Sequence, residues 1–315
     1  MSHHHANETI KIKMNLSHIK GHAAMFGANT MWGLMAPVAK TVMAAGVVTP
    51  LLMTNFRIVG AAVLFWIASL FVPYEKVPGK DLLRLAGAAM LGILFNQGSY
   101  ISGVGLTSPG EASIITTTMP LWVMLFAAVI LREPITLKKV GGIVLGASGA
   151  LMLVLTSKHT AMKGDNPVAG DLLVLGAQCS YALYLTFYRN FVKRYSVVTL
   201  MKWMFTFAAI PLVALTLDHW TGAEWGALTS TEIWGAAFVV VCGTFVAYIF
   251  IMIGQKTLRP TLVGMYNYVQ PIVASAVGIW LGLDSFGPLK LVAVALIFSG
   301  VFLVTISKSR NPSEG

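Results

Sequence analysis

The chain has 315 residues, of which 56% are hydrophobic and only 11% are charged. Soluble domains carry about 25% charged residues, so this chain has too little charge to cover a water-facing surface. The composition excludes an ordinary soluble protein and makes the lipid bilayer the expected partner of most of the surface. The net charge of +10 does not indicate nucleic-acid binding, because the basic residues occur in small groups between apolar segments.

Apolar segments of about 20 residues, each long enough for a helix to cross a hydrocarbon core of about 30 Å, recur along the sequence. The ten predicted spans are residues 22–44, 50–72, 82–104, 109–131, 136–157, 168–190, 197–217, 231–254, 260–282 and 287–307. Helix-start signals stand at residues 108–111, 166–167 and 229–232, where a capping side chain precedes an apolar segment. We therefore predict an all-α membrane protein with ten transmembrane helices.

The lysines and arginines between the spans fall mainly on one side of the predicted bundle. Placing the N-terminus in the cytoplasm assigns sixteen basic residues to the cytoplasmic side and four to the opposite side. Basic residues concentrate in the cytoplasmic loops of membrane proteins, so this split favours an even number of spans with both termini in the cytoplasm. We expect an integral protein of a bacterial inner membrane.

The two halves of the sequence align at a constant offset of 151 residues. The aligned pairs include Gly92 with Gly243, Pro109 with Pro260, Pro120 with Pro271 and Gly149 with Gly300. Each copy holds five predicted spans, and because five is odd, the second copy must be inverted relative to the first. Inverted repeats of this kind bind substrate near the middle of the membrane, between the two copies.

This repeat predicts the domain organisation of the chain. The segments are residues 1–21, a cytoplasmic N-terminal tail; 22–157, the first five-helix repeat; 158–167, an extracytoplasmic linker; 168–307, the second repeat; and 308–315, a cytoplasmic C-terminal tail. The first span is too long for the apolar part of a cleavable signal, so we expect it to be retained.

The motifs of the repeat resemble those of a known family. They are Thr107-Ser108-Pro109 through Pro120, Leu131-Arg132-Glu133-Pro134, Gly141-Gly142 and Gly149, followed in the second copy by Pro260, Pro271, Asp284 and Gly300. This pattern is similar to the EamA-type repeat of the drug/metabolite transporter superfamily, over roughly residues 22 to 307, although the second copy has Asp284 where Glu is usual. The resemblance implies transport and leaves the cargo open.

Amide and aromatic side chains recur together in the first span of each repeat. Asn29 and Trp32 lie one turn apart on one face of span one, and their counterparts in span six are Gln178 and Tyr181. Tyr184 continues the same face of span six. These residues are candidates for a substrate cavity, and the alternative is that they only form hydrogen bonds and aromatic contacts between helices.

Spans three and nine supply further polar candidates. Asn96, Gln97 and Tyr100 lie near the middle of span three, and Asn267 and Gln270 share a face of span nine. We expect five of the candidate side chains to converge on one space between the repeats, namely Gln97, Tyr100, Tyr184, Asn267 and Gln270. Interhelical hydrogen bonding is again the alternative.

Charged residues and prolines complete the set of candidates. Arg57 and Lys202 lie within spans, where each either extends its charged end toward the membrane surface or, for Arg57, pairs with a substrate carboxylate. Glu111 is predicted to cap span four and is a candidate for a charge contact at the outer mouth. Pro120 and Pro271 are expected to kink spans four and nine and to act as hinges.

All twelve acidic residues fall in tails, loops or span ends, and only two basic residues lie within spans. This pattern favours a small neutral or zwitterionic substrate, with an amino acid or related compound as the first candidate. The inverted repeats predict alternating access, and we expect export. An integral membrane enzyme and a facilitative channel are the alternatives. We predict no metal, no cofactor and no nucleic-acid partner, and a functional monomer with a dimer left open.

Overall fold

A computed structural model of the chain describes residues 2–44, 46–106, 115–156, 166–280 and 287–308. Nearly all of these residues are helical, and no strand occurs among them. Within these described ranges six helices are long and apolar enough to cross a membrane, and they are Pro50–Ala68, Leu137–Thr156, Val168–Phe187, Val197–Leu215, Ser230–Thr257 and Pro288–Thr305. The prediction of an all-α chain with membrane-spanning helices is confirmed, whereas the count of ten spans stays a prediction.

The helices are labelled here in chain order. They are α1 (Ser2–Ala44), α2 (Pro50–Ala68), α3 (79–106), α4 (Met119–Ile130), α5 (Leu137–Thr156), α6 (Pro167–Phe187), α7 (Val197–Leu215), α8 (Ser230–Thr257), α9 (260–280) and α10 (Pro288–Thr305). Short helical turns at Phe191–Lys193, Leu217–Thr221 and Trp225–Ala227 lie in the connections on either side of α7. The first helix continues through the residues predicted as a tail, so α1 begins 20 residues before the predicted span.

Polar side chains cap the helices where the sequence predicts starts. The Asn166 side chain accepts a hydrogen bond from the Ala169 backbone N–H at the start of α6. At the start of α8, Thr229 and Glu232 form the predicted capping box. Each cap satisfies a backbone donor left free at a helix N-terminus and is worth about 1 kcal/mol. The predicted capping box at residues 108–111 lies outside the described residues.

The internal repeat is visible in the backbone of α3 and α8. Both helices contain one π-helical segment, Met90–Phe95 in α3 and Val241–Val246 in α8, and these segments are offset by 151 residues. The two helices also begin at the same offset, at residues 79 and 230. Because π-helix accounts for well under 1% of residues in globular proteins, two matched segments are strong evidence that the halves share one local structure.

The contacts between helices follow the same repeat. In the first half α1 packs on α8 and α9, and in the second half α6 packs on α3 and α4. Three further pairs join equivalent helices of the two halves, namely α2 with α7, α4 with α9 and α5 with α10. Exchanging the halves leaves this set of contacts unchanged, so the described helices pack with approximate two-fold symmetry.

Glycines in the two π segments allow the crossing helices to approach closely. A Cβ atom on Gly92 would lie 2.9 Å from Cγ of Tyr184 on α6. A Cβ atom on Gly243 would lie 2.7 Å from Sδ of Met35 on α1. In both halves, therefore, a long side chain of the repeat's first helix occupies the space that a side chain at the glycine would need.

The α5–α10 contact depends on small residues. A Cβ atom on Gly142 would lie 2.7 Å from the Gly300 carbonyl oxygen, and one on Gly149 would lie 2.5 Å from the Ala293 carbonyl oxygen. Backbones this close leave no room for side chains between them. Gly142 and Gly146, which are spaced as GxxxG, thus lie inside the protein, where the α5 backbone meets the α10 backbone.

A buried ionic group joins the α4–α5 connection to the end of α6. The Glu133 carboxylate accepts hydrogen bonds at 2.9 Å from both Lys139 Nζ and a terminal nitrogen of Arg189. The Glu133 and Lys139 side chains are 3% and 1% exposed. A charge this deeply buried is stable only with its partner in place, so these residues hold the α4–α5 connection of the first repeat against the end of α6 in the second.

A second polar contact links the α2–α3 connection to the α6–α7 connection. The Tyr195 hydroxyl donates a 2.6 Å hydrogen bond to Asp81, and the Ser196 backbone N–H donates to Glu75 at 2.9 Å. The hydrogen bond from Tyr195 lowers the pKa of Asp81, and the same bond raises the pKa of Tyr195. At neutral pH both groups are therefore in the forms that make the bond.

Candidate functional site

Tyr248 of α8 lies at the centre of the polar residues between the repeats. Gln97 Nε2 on α3 donates a 2.6 Å hydrogen bond to the Tyr248 hydroxyl oxygen, and both side chains are buried. The two residues are 151 positions apart, so they occupy equivalent positions in the two repeats. A contact between equivalent positions lies on the approximate two-fold axis of the fold. Tyr248 is not among the residues predicted for the site, although the offset of 151 from Gln97 identifies it as the equivalent position.

The surroundings of Tyr248 include four predicted site residues. The Trp32 ring of α1 meets the Tyr248 ring edge-on with centroids 5.8 Å apart, and Trp32 Nε1 donates to the Gly243 carbonyl at 3.1 Å. The Tyr181 and Tyr184 hydroxyls and the Arg57 guanidinium lie within electrostatic range of the Tyr248 hydroxyl.

Gln255 of α8 connects two tyrosines of α6. The Tyr184 hydroxyl donates to Gln255 Oε1 at 2.9 Å, and Gln255 Nε2 donates to the Tyr181 hydroxyl oxygen at 3.2 Å. All three side chains are buried. Gln255 lies one residue beyond the predicted span eight, which ends at residue 254, whereas α8 continues to Thr257. One face of this group opens into a small cleft that also contains Arg189 and Tyr188.

A cluster of three amide side chains, Asn29, Asn267 and Gln270, joins α1 to α9 and is called the amide group here. Gln270 Nε2 donates to Asn29 Oδ1 at 3.0 Å and to Asn267 Oδ1 at 3.2 Å. Asn29 Nδ2 donates to the Met25 carbonyl at 2.8 Å, and Asn267 Nδ2 contacts the Met119 sulfur on α4. Since Asn29 and Trp32 lie on one face of α1, this amide group adjoins the surroundings of Tyr248.

The remaining amides lie in the contact between α3 and α6. Asn96 Nδ2 donates to the Ala177 carbonyl at 3.0 Å, and Gln178 is buried. The Asn96 bond has the form of interhelical hydrogen bonding, which is the alternative stated above for such residues. Thus Gln97 and Tyr184 share the surroundings of Tyr248, whereas Asn267 and Gln270 belong to the neighbouring amide group.

Arg57 and Tyr100 lie beside Tyr248. Arg57 of α2 donates through Nε to the buried Thr244 hydroxyl of α8 at 3.1 Å. The Tyr100 hydroxyl lies within electrostatic range of Arg57, and 37% of the Tyr100 side chain is exposed. No carboxylate forms an ion pair with Arg57 in the part of the chain that the structure describes.

Lys202 lies against two tryptophan rings. Its side chain is 7% exposed and its ammonium lies 4.7 Å from the centre of the Trp66 ring and 5.9 Å from that of Trp203. Two indole rings provide a favourable environment for the cation inside the protein. The expected extension of Lys202 toward the membrane surface stays a prediction.

Both predicted hinge prolines follow a break in their helix. Pro120 is in the first turn of α4, after a turn at residues 117–118, and Pro271 follows the 3₁₀ segment Tyr266–Tyr268 of α9. The interruption of regular helix before each proline agrees with the expected kinks, because proline cannot donate a hydrogen bond to the carbonyl four residues earlier. The hinge role stays a prediction. The two breaks touch each other, since the Tyr268 hydroxyl donates to the Thr117 carbonyl at 3.0 Å. Glu111, the remaining candidate, lies outside the described residues.

The sequence has relatives among known membrane proteins. It matches the EamA-like transporter family over residues 19–155 and 168–306. It is similar to the uncharacterized inner membrane transporter YedA of Escherichia coli K12, at 26% identity over 84% of each chain. It is also similar to an uncharacterized transporter of Archaeoglobus fulgidus, at 25% identity over 60% of this chain and 64% of the relative's length. A solved crystal structure shares the fold, with a TM-score of 0.74 at 20% identity, covering 91% of this chain and 98% of the other.

These similarities agree with the structure. The two matched segments begin and end within three residues of the two predicted repeats. The family and the apolar helices together identify an integral membrane protein, and the names of the relatives indicate transport rather than catalysis. The chain belongs to the EamA-like transporter family of the drug/metabolite transporter superfamily.

Proposed function

We propose that the protein is an alternating-access carrier with ten transmembrane helices, arranged as two inverted five-helix repeats. The approximate two-fold packing supports this arrangement, because α1 contacts α8 as α6 contacts α3. Two copies with an odd number of spans can be related by a two-fold axis only if that axis lies in the membrane plane. The distribution of basic residues supports cytoplasmic termini in a bacterial inner membrane.

We propose that the cargo is a small neutral or zwitterionic metabolite, an amino acid or related compound, and that transport is outward. The position of the site is supported by the hydrogen bond between Gln97 and Tyr248. A site on the two-fold axis is equally distant from the openings toward the two sides of the membrane. The substrate contacts proposed are Asn29, Trp32, Asn96, Gln97, Tyr100, Gln178, Tyr181, Tyr184, Asn267 and Gln270. Amides and tyrosines bind neutral polar groups without requiring a counter-ion. The active unit proposed is a monomer.

The breaks before Pro120 and Pro271 are proposed as hinges. A backbone that already lacks regular helical hydrogen bonds changes its dihedral angles at low cost. The two breaks touch through Tyr268 and Thr117, so a movement of α4 in one repeat displaces α9 in the other. Rocking of the repeats about this contact would expose the surroundings of Tyr248 to one side at a time.

Substituting Tyr248→Phe tests the site. The change removes the hydroxyl that the proposed site presents to the cargo, and a polar group of the bound cargo left without its partner costs about 1–3 kcal/mol of binding free energy. In proteoliposomes screened with the common L-amino acids, we expect saturable flux without product formation, and an apparent affinity lowered roughly 5- to 150-fold in the variant. Tyr74→Phe, at a residue 82% exposed, is the matched control and should behave like the unchanged protein. Flux that never saturates would indicate a channel, and conversion of the compound would indicate an enzyme.

Reporter fusions test the inverted topology. Fusions at Lys158, Asp218 and Asp284 should report the outside, because these positions follow spans five, seven and nine. Fusions at Lys76 and Lys138 should report the cytoplasm. A cytoplasmic signal near residue 165 would contradict the inversion, because the second repeat would then start on the same side as the first.

A further inference from the structure

The charge on Arg57 is not balanced in the described part of the protein. Its Nε donates to Thr244, and its surroundings are Tyr100 and Tyr248, which are neutral hydrogen-bonding groups. A guanidinium inside an apolar protein is retained where it pairs with an anion. Arg57 is only partly buried, and Tyr100 beside it is accessible, so an anion from outside the chain can reach it.

Gln97 has a hydrogen-bond acceptor that lacks a donor. Its Nε2 donates to Tyr248, but its Oε1 is buried and has no hydrogen-bond partner among the described residues. A buried carbonyl oxygen without a donor is unfavourable, and such a group in a native structure needs an explanation. The Tyr248 hydroxyl accepts the Gln97 hydrogen bond and keeps its own proton for a further acceptor. Among the described residues, the surroundings of Tyr248 thus combine three groups: the Arg57 guanidinium without a carboxylate, Gln97 Oε1 without a donor, and the Tyr248 hydroxyl proton.

We propose that these groups recognise a zwitterion, with the cargo's carboxylate on Arg57 and its ammonium on Gln97 Oε1. The inference rests on the proposed carrier function and deepens it, since it requires every transported compound to carry a carboxylate. A carboxylate suits a guanidinium because both groups are planar and form two parallel hydrogen bonds. The Tyr248 and Tyr100 hydroxyls lie within electrostatic range of Arg57 and are available to the same carboxylate.

The residue that holds the Arg57 side chain is polar in one repeat and apolar in the other. Thr244, which holds the Arg57 side chain, corresponds to Ile93 at the offset of 151. Both positions lie in a π segment and both side chains are 0% exposed. The fold therefore accepts an apolar residue at this position. The Thr244 hydroxyl donates to the Val239 carbonyl at 2.9 Å and accepts from Arg57 Nε at 3.1 Å, so it both satisfies the helix backbone and holds the guanidinium.

Ligand-induced thermal stabilisation of the detergent-purified protein tests the proposal. The probes are the twenty L-amino acids, each compared with its carboxamide, which keeps the ammonium and lacks the negative charge. We expect at least one amino acid to raise the melting temperature and its carboxamide to have no effect. In Arg57→Gln the apparent affinity for that amino acid should fall on the order of 30-fold, because a charged hydrogen-bonded pair is lost.

Two further variants keep the test independent of folding. Arg57→Lys retains the charge without the planar fork and should bind at intermediate affinity. Lys202→Gln removes the other cation within a span, which the two indole rings already surround, and should keep the preference for acid over amide. Equal stabilisation by acids and amides, or an unchanged preference in Arg57→Gln, would overturn the proposal. So would the failure of every amino acid to stabilise the unchanged protein.

Flux measurements separate this inference from the carrier function. Transport in proteoliposomes that is restricted to compounds without a carboxylate would refute the zwitterion site and leave the carrier intact. Stabilisation by amino acids that depends on Arg57, without flux of any stabilising compound, would keep the binding site and refute the carrier.

Discussion

Gly142→Ala is expected to destabilise the protein by about 2–3 kcal/mol, because overpacking a close contact costs this much when the neighbours cannot move. The added Cβ would lie 2.7 Å from the Gly300 carbonyl oxygen and 3.1 Å from the Val304 backbone nitrogen. Both neighbours are backbone atoms of α10, so relief requires a shift of the whole helix. Thermal unfolding in detergent measures the effect.

Gly141→Ala is the matched control. A Cβ atom at Gly141 meets no other atom within 4 Å, although the residue is adjacent to Gly142 in the same helix. Replacing a helical glycine by alanine in open space stabilises by about 0.5–1 kcal/mol, so this variant should unfold at the same or a higher temperature. If both variants lose the same stability, the α5–α10 backbone contact is not as close as described.

Glu133→Gln is expected to destabilise by about 3–5 kcal/mol, the range found when one member of a buried ion pair is removed. The neutral amide leaves the Lys139 ammonium, which is 1% exposed, without an opposite charge in its immediate surroundings. It also weakens the bond to Arg189, so the end of α6 should loosen from the α4–α5 connection. Chemical denaturation in detergent, monitored together with protease cleavage of the α6–α7 connection, measures both effects.

Two controls accompany this prediction. Arg84→Ala breaks a pair with Asp81 in which the Arg84 side chain is 55% exposed, and surface pairs contribute at most about 1 kcal/mol. The double change Glu133→Leu with Lys139→Met removes both buried charges and should recover much of the stability lost in Glu133→Gln. A loss in Arg84→Ala as large as in Glu133→Gln would contradict the assignment of the effect to burial.

Much of the fold follows from the sequence because its causes are local. Apolar segments of the right length predict the helices, and capping residues such as Asn166 and Thr229 predict where they begin, since each cap acts within four residues. The internal repeat can also be recognised in the sequence, because two copies of one structure need glycine at matched positions such as 92 and 243. The close α5–α10 contact follows from the same reasoning.

The site was less predictable, because its partners come from different helices. The amide and aromatic pattern identifies Gln97 and Tyr184, but the groups that bond them, Tyr248 and Gln255, are set by how α8 crosses α3 and α6. Lys202 is a similar case, since the rings over its ammonium include Trp66 from another helix. Which side chain faces which neighbour is decided by packing in three dimensions rather than by spacing along one helix.

Gln97 and Tyr248 occupy equivalent positions in the two repeats but carry different functional groups. In a dimer of two identical subunits, the positions meeting on the symmetry axis would carry the same residue, and a bound molecule would meet the same chemistry from both sides. Here both copies lie in one chain, so each position can be substituted independently, and an amide faces a phenol. Covalent linkage of the copies thus allows a nearly symmetric scaffold to hold a molecule whose two ends differ, and to bind it in one orientation.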